Sequence, residues 1–274
     1  MSGVQVPLPD GTHIASRADG PEGAPGVQLI PGLGGVGSFW DGVMAGLADR
    51  HRVVTHDHRG TGASSRPAGP YSIAGMADDL AAVMDRHAMA RAVLVGHSTG
   101  GAIAQDFALR WPDRVAGLVL SATWAGPDPA FLAMFALRRR ILLEMGAAAY
   151  GVLGQLMLRT PEQLNARPEL LDPDPAAAAA TLGDPAIVAA RIDALMAHDA
   201  RPALPGLCVP TLVVCAADDR VAPVHMSRAL AALIPGAELA VLPEGGHFLP
   251  QEAPGAFLSA VAPFLARVTG AAAP

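Results

Sequence analysis

The chain has 274 residues, 51% of them hydrophobic and 16% charged, and a formal net charge of −6. That composition argues for a globular protein with a substantial core, and the acidic balance gives no reason to expect nucleic acid or an anionic membrane surface as a partner. All 19 basic residues are arginine, which excludes a Ser-Lys dyad or a lysine Schiff base.

Met1 to Gln5 shows no basic region followed by an apolar core, so no signal peptide is expected. No uninterrupted apolar run approaches the roughly 20 residues of a membrane span, and a cytoplasmic location is the expectation. Residues 4–18 alternate loosely around Pro7, Pro9, Asp10 and Gly11, which predicts a short hairpin at a sheet edge. Val27 to Ile30 reads as a buried strand, followed by the glycine-rich stretch Gly32-Leu33-Gly34-Gly35-Val36-Gly37. That stretch has neither a Walker nor a dinucleotide-binding spacing, so no nucleotide cofactor is expected. Ser38 is placed to cap a helix running to about Asp49, and Arg52 to Asp57 supplies the next strand. His56 and His58 flank Asp57, but no second ligand cluster with zinc-like spacing accompanies them; stabilisation of the loop by Asp57 and Arg59 is the simpler reading, and no metal is expected.

Apolar residues at Ile73, Met76, Ala77, Leu80, Val83 and Met84 predict a helix over 73–87 with one buried face. Val93 to Val95 then runs into Gly96-His97-Ser98-Thr99-Gly100, and Ala102 to Arg110 has helix-forming composition. A serine held at a tight strand-to-helix turn needs small neighbours, and unpaired N–H groups at the head of the helix favour an anion beside it. Ser98 is therefore a candidate nucleophile. Val115 to Ala122 is a further strand, and the alternation so far implies parallel strands with helices on both faces.

From Trp124 to about Pro205 no strand is evident. Helices are expected over 131–149, continuing after Gly151 to Leu158, and over 187–198. An excursion placed after a strand's carboxyl end favours a lid over a site, the alternative being helices that merely cover the sheet. The alternation then resumes with a strand over 210–217, a helix over 225–233, a strand over 238–242 and a last helix over 254–268 before a frayed tail from Gly270 to Pro274. Cys208 and Cys215 flank or lie in one apolar strand, where free cysteine behaves as a small hydrophobe. The expected organisation is a core of residues 1–124 and 206–274 with a lid of residues 125–205 inserted in it.

Ser98, Asp219 and His247 occur in the order nucleophile, acid, histidine, each directly after a predicted strand. Open α/β sheets place their sites at those strand ends. The set is what acyl transfer needs, since a serine hydroxyl is a weak nucleophile until a histidine takes its proton and a carboxylate orients that histidine. Asp218 is the alternative to Asp219. Trp124 and Phe248 are candidate pocket residues, although a structural role suits Trp124 as well. His97 reads as a packed elbow residue, and Arg138 to Arg140 as a solvated helix face or a binder of a substrate carboxylate.

These residues, together with Leu29 to Gly35, Asp57 to Ser64 and Ala216 to Asp219, resemble the α/β-hydrolase fold family over nearly the whole chain. Within it the sequence is similar to the aminoacrylate hydrolases of pyrimidine degradation and the 3-oxoadipate enol-lactonases, through Ser38 to Trp40, Tyr71 to Met76 and Cys215 to Pro223. The resemblance implies an α/β-hydrolase fold, with a mostly parallel sheet, helices on both faces and a helical lid. It also implies an oxyanion hole from the N–H groups of Leu33 and Thr99, with Gly34 as alternative second donor. Family members often carry His-Gly where this chain has Pro31-Gly32, a departure that touches the packing of the loop. The expected function is hydrolysis of a small ester, lactone or related acyl substrate, without cofactor, by a monomer or homodimer. The rivals are cleavage of a C–C, C–N or thioester bond, and a small-molecule receptor of the same fold.

Overall fold

The computed structural model describes residues 3–270. Of the tail expected over Gly270–Pro274, only Gly270 lies among them, ending the last helix with a left-handed backbone (φ 70°). In chain order the elements are β1 (Gly3–Pro7), β2 (His13–Asp19), β3 (Gly26–Ile30), α1 (Asp41–Leu47), β4 (Arg52–His56), α2 (Ile73–Arg86), β5 (Ala92–His97), α3 (Thr99–Arg110) and β6 (Val115–Ser121). There follow α4 (Pro129–Leu158), α5 (Pro161–Asn165), α6 (Pro175–Leu182), α7 (Pro185–Met196), β7 (Thr211–Ala216), α8 (Val224–Leu233), β8 (Glu238–Leu242), α9 (Leu249–Glu252) and α10 (Pro254–Thr269).

The eight strands form one sheet in the order β1-β2-β4-β3-β5-β6-β7-β8. β1, β2 and β4 pair antiparallel at one edge, so the expected hairpin is there, and every later pairing is parallel. Central strands covered on both faces read as unbroken apolar runs, and all six residues of β5 are buried. Strand alternation divides them between two layers. Val93 and Val95 pack with Trp40, Val43, Phe257 and Val261 under α1 and α10. Leu94 packs on the other face with Leu80, Ile103 and Phe107 from α2 and α3. The six apolar positions of α2 are all buried, and Ser72 caps that helix by accepting the Gly75 N–H at 3.0 Å.

Ser38 does not act as the expected cap. Gly37–Trp40 is a 3-10 turn and α1 starts only at Asp41, with no side-chain cap. The reason lies in long-range contacts: Asp57 Oδ1 accepts the Gly37 N–H at 2.8 Å, and the fully buried Trp40 packs against Phe257 with ring centroids 5.9 Å apart. Cys215 is buried in β7, whereas Cys208 is exposed, and both are free thiols.

Between β6 and β7 the chain leaves the sheet for a lid-like insertion of four helices, α4 to α7. Its first helix breaks at Gly146 (φ 84°), where the sequence suggested Gly151. Arg138–Arg140 and Glu144 interrupt the apolar residues of α4, yet the helix as a whole is long and apolar enough to cross a membrane by length and composition, with a mean hydropathy of 1.5. Here it packs against α6 and α7. Two shorter helices, α5 and α6, were not expected; each starts at proline after a capping side chain, Thr160 or Asp174.

Candidate active site

The parallel strands all point their carboxyl ends at one rim, and each candidate residue sits in the loop or turn that follows one of them. β5 ends at His97, and Ser98 adopts φ 53° and ψ −119°, a conformation that L side chains avoid. Such strain persists only where its surroundings over-determine it. The Ser98 N–H donates to the Ser121 carbonyl at 2.8 Å, and Thr123 Oγ1 donates to the Ser98 carbonyl at 2.8 Å, so both sides of its backbone are pinned to the end of β6. Glycine is required on each side. A Cβ at Gly96 would lie 2.3 Å from the Gly100 carbonyl oxygen, and one at Gly100 would lie 2.2 Å from that of Ile30. Thr99 begins α3, so its N–H is in the first turn, where no intrahelical acceptor exists.

The loop after β3 closes on itself through Gly35 N–H to the Gly32 carbonyl at 3.0 Å. Leu33 occupies the second position of that turn, whose N–H the closing bond leaves unused. The loop packs directly on the elbow, since a Cβ at Gly32 would sit 3.3 Å from the Ser98 Cβ. Gly34 is exposed, with open space where a side chain would be.

The adjacent carboxylates after β7 have separate tasks. Asp219 Oδ2 accepts from His247 Nδ1 at 2.8 Å, while its Oδ1 takes the N–H groups of Val221 at 2.8 Å and Ala222 at 3.0 Å. Both side chains of this pair are essentially buried, at 0% and 2% exposure. Asp218 instead holds the backbone of the histidine loop, accepting from Gly246 N–H at 2.9 Å and Gly245 N–H at 3.3 Å. With a carboxylate facing Nδ1, the His247 proton resides there and Nε2 is left as a base.

The structure brings Asp219 and His247 into direct contact. His97, which precedes Ser98 in the chain, has its ring centroid 4.8 Å from that of His247, and among the described residues no hydrogen bond joins Ser98 Oγ to the imidazole. Links of this type commonly tighten only when substrate binds. His97 stacks on Phe39 at 4.8 Å and shares a 3.2 Å hydrogen bond with Ser121 Oγ. Burial holds it well below the ordinary histidine range and the nearby His247 pushes the same way, so it stays neutral.

Phe248 lies beside the site, 5.5 Å from Phe39 and 6.2 Å from His247 by ring centroids, with the Arg159 guanidinium 5.0 Å over its face. Trp124 is 1% exposed and packs on Phe131 of α4 at 4.6 Å, beneath the root of the insertion. The insertion touches the rim at several points. Phe248 N–H donates to the Leu158 carbonyl at 3.2 Å, Arg220 donates to that of Leu156 at 3.2 Å, and Arg159 pairs with Glu252 at 3.0 Å. None of these anchors, nor Thr123, is visible in the sequence, because each acts through a partner far along the chain. His56 and His58 do not converge on a shared point: His56 Nδ1 faces Gln28, and His58 Nε2 donates to the Pro31 carbonyl at 2.7 Å. Asp57 and Arg59 brace their loop, Asp57 by accepting from Gly37 and Ala63, Arg59 through Asp79 and Asp10.

A family model described as the alpha/beta hydrolase fold matches residues 26–254. The proposed carbamate hydrolase RutD of Caulobacter sp. (strain K31) is 39% identical over 240 residues, covering 87% of this chain and 90% of that protein. The solved enol-lactonase from Burkholderia xenovorans LB400 superposes with a TM-score of 0.84 at 31% identity, over 93% of this chain and 97% of its own. A hydrolase from Pseudomonas aeruginosa PA01 gives a TM-score of 0.84 at 33% identity, covering 96% and 98%.

Proposed function

Because the chain belongs to the alpha/beta hydrolase fold family and is a hydrolase, we propose that it cleaves a small acyl substrate through an acyl-enzyme on Ser98, with His247 as base and Asp219 as its orienting acid. The observation that carries the reading is the buried 2.8 Å contact between Asp219 and His247 Nδ1, beside a serine held at φ 53° at the head of a helix. In this scheme His247 Nε2 takes the Ser98 proton as Oγ bonds to the carbonyl carbon. The N–H groups of Thr99 and Leu33 hold the resulting oxyanion. Collapse expels the leaving group, which receives that proton from His247. Water then gives a proton to His247 as it attacks the acyl-enzyme, and Ser98 recovers its proton when the acid departs.

Esters and lactones suit this chemistry, as does the carbamate carbonyl suggested by the name of the RutD relative. They differ in leaving group, and the same donors serve each. Residues 125–205 are taken as a lid that shapes the pocket, with Phe248 on its wall. Ser98→Ala should abolish turnover of p-nitrophenyl acetate, and a fluorophosphonate should label the wild-type chain at Ser98 alone. Retained turnover in that variant would overturn the assignment, and a panel of methyl esters, lactones and carbamates would rank the leaving groups.

A further inference from the structure

Among the arginines of the insertion, one has no hydrogen-bond or ion-pair partner among the described residues. Arg139 pairs with Asp193, Arg140 with Glu144, and Arg159 and Arg167 with Glu252. Arg138 lies over the rings of Phe135 and Tyr150, at 5.1 Å and 5.3 Å, and donates to the Tyr150 hydroxyl. Arg191, on α7, is 2% exposed, and its Nε and Nη2 have no hydrogen-bond acceptor among the described residues. The groups that bear on it are uncharged: the hydroxyls of Tyr71 and Tyr150, and His58, which burial keeps neutral. Burial draws the Arg191 pKa down to about 10, so it is still a cation at neutral pH.

Its position is specific. Nη2 is so close to Gly35 that a Cβ there would lie 2.5 Å away, and Gly35 ends the turn whose first residue, Gly32, packs on Ser98. The span of such a turn is less than about 7 Å between its end Cα atoms. The guanidinium and Ser98 thus pack against the two ends of the turn that contains Leu33. The two orphaned nitrogens share one edge of the guanidinium, the edge that grips a carboxylate by two parallel hydrogen bonds. A buried, unpaired cation works against the folded state, so a chain that keeps one beside its nucleophile has a use for it in the bound state.

We propose that Arg191 binds a carboxylate on the acyl part of the substrate, making the chain a hydrolase of anionic acyl compounds such as half-esters of short dicarboxylic acids. This rests on the reading of Ser98 as the nucleophile. The edge is packed closed in this structure, so the carboxylate reaches it as α7 lifts or the guanidinium turns.

The test compares monomethyl succinate with methyl butyrate, which matches it in length but lacks the charge. The wild type should favour the half-ester in kcat/KM. In Arg191→Gln the ratio of kcat/KM for half-ester over neutral ester should fall about 10- to 100-fold, the range expected for losing hydrogen bonds to a charged group, and Arg191→Lys should restore part of it. Succinate should raise the Tm of the wild type but not of Arg191→Gln, whose own Tm should not be lower. An unchanged ratio, or a Tm that drops with no effect of succinate in the wild type, would make Arg191 structural and overturn the proposal. Failure of the fluorophosphonate to label Ser98 would instead overturn the hydrolytic reading beneath it, and succinate stabilisation lost in Arg191→Gln would still report the anion site.

Discussion

Asp219→Asn should lower kcat by roughly 10⁴ with the fold intact. The amide oxygen of the variant can still accept from the Val221 and Ala222 N–H groups, at 2.8 Å and 3.0 Å in the parent, so the turn after β7 keeps its shape. That orientation places the amide NH₂ where Oδ2 now accepts from His247 Nδ1 at 2.8 Å, and two donors would face each other. The imidazole relieves the clash by moving its proton to Nε2, and it can then no longer take one from Ser98. A factor of 10⁴ corresponds to about 5.4 kcal/mol of transition-state stabilisation. Asp218→Asn is the control of equal chemistry. It retains one acceptor for Gly246 and loses the longer 3.3 Å bond from Gly245, worth about 1 kcal/mol, so kcat should stay within about tenfold. Steady-state hydrolysis of p-nitrophenyl acetate, with active sites counted by fluorophosphonate and folding followed by circular dichroism, measures both. A fall of less than about a hundredfold in Asp219→Asn, or an equally severe one in Asp218→Asn, would refute the division of labour between the two carboxylates.

Thr123→Val removes the 2.8 Å bond to the Ser98 carbonyl at constant shape, and since that carbonyl also accepts from Gly101 and Ala102, the loss should be about 1 kcal/mol in urea unfolding with a reduced kcat. An unaltered kcat would show that the elbow does not need this strut. Gly100→Ala forces a Cβ to within 2.2 Å of a backbone oxygen and should cost more than about 3 kcal/mol or prevent accumulation of folded protein; a variant that melts with the wild type would contradict the packing described. Stability should also depend on acid in a defined window. His56 and His198 are held down to about 4 by burial, while the unfolded chain protonates them near 6.5, so stability is level above pH 7 and falls as pH drops from 6.5 towards 4. His56 alone contributes on the order of 3 kcal/mol across that window, and unfolding free energies that stay flat from pH 7 to 5 would count against it.

The sheet and the candidate residues at its rim were readable because buried parallel strands leave an unbroken apolar run and because polar residues at their carboxyl ends have few reasons to be there. Val93 to Val95 followed by Ser98 is such a case. The preference for Asp219 over Asp218 rested on the resemblance, because the two are adjacent and chemically alike, and it is the path of the turn after β7 that aims one at His247 and the other at the Gly245–Gly246 backbone. Ser38 misled because a local capping preference worth about 1 kcal/mol was overruled by Asp57 and Trp40 from outside the segment. The insertion resisted reading because its helices are rich in alanine and leucine on all sides, which blurs periodicity. Arg191 left one trace, its place at helical spacing from Val188 and Leu195, both buried, which puts a charge on an apolar stripe.

The joint between α4 and the histidine loop has a bearing on how this enzyme could be diversified. Leu156, Leu158 and Arg159 are bonded to Arg220, Phe248 and Glu252, so the end of α4 belongs mechanically to the loop that carries His247 and not to α6 and α7. A chimaera that imports another protein's cap should therefore be spliced to keep residues 156–160 from this chain and exchange α6 and α7. Grafts cut inside that joint would exchange specificity and lose the alignment of His247 together, whereas libraries confined to residues 175–196 could move substrate range alone.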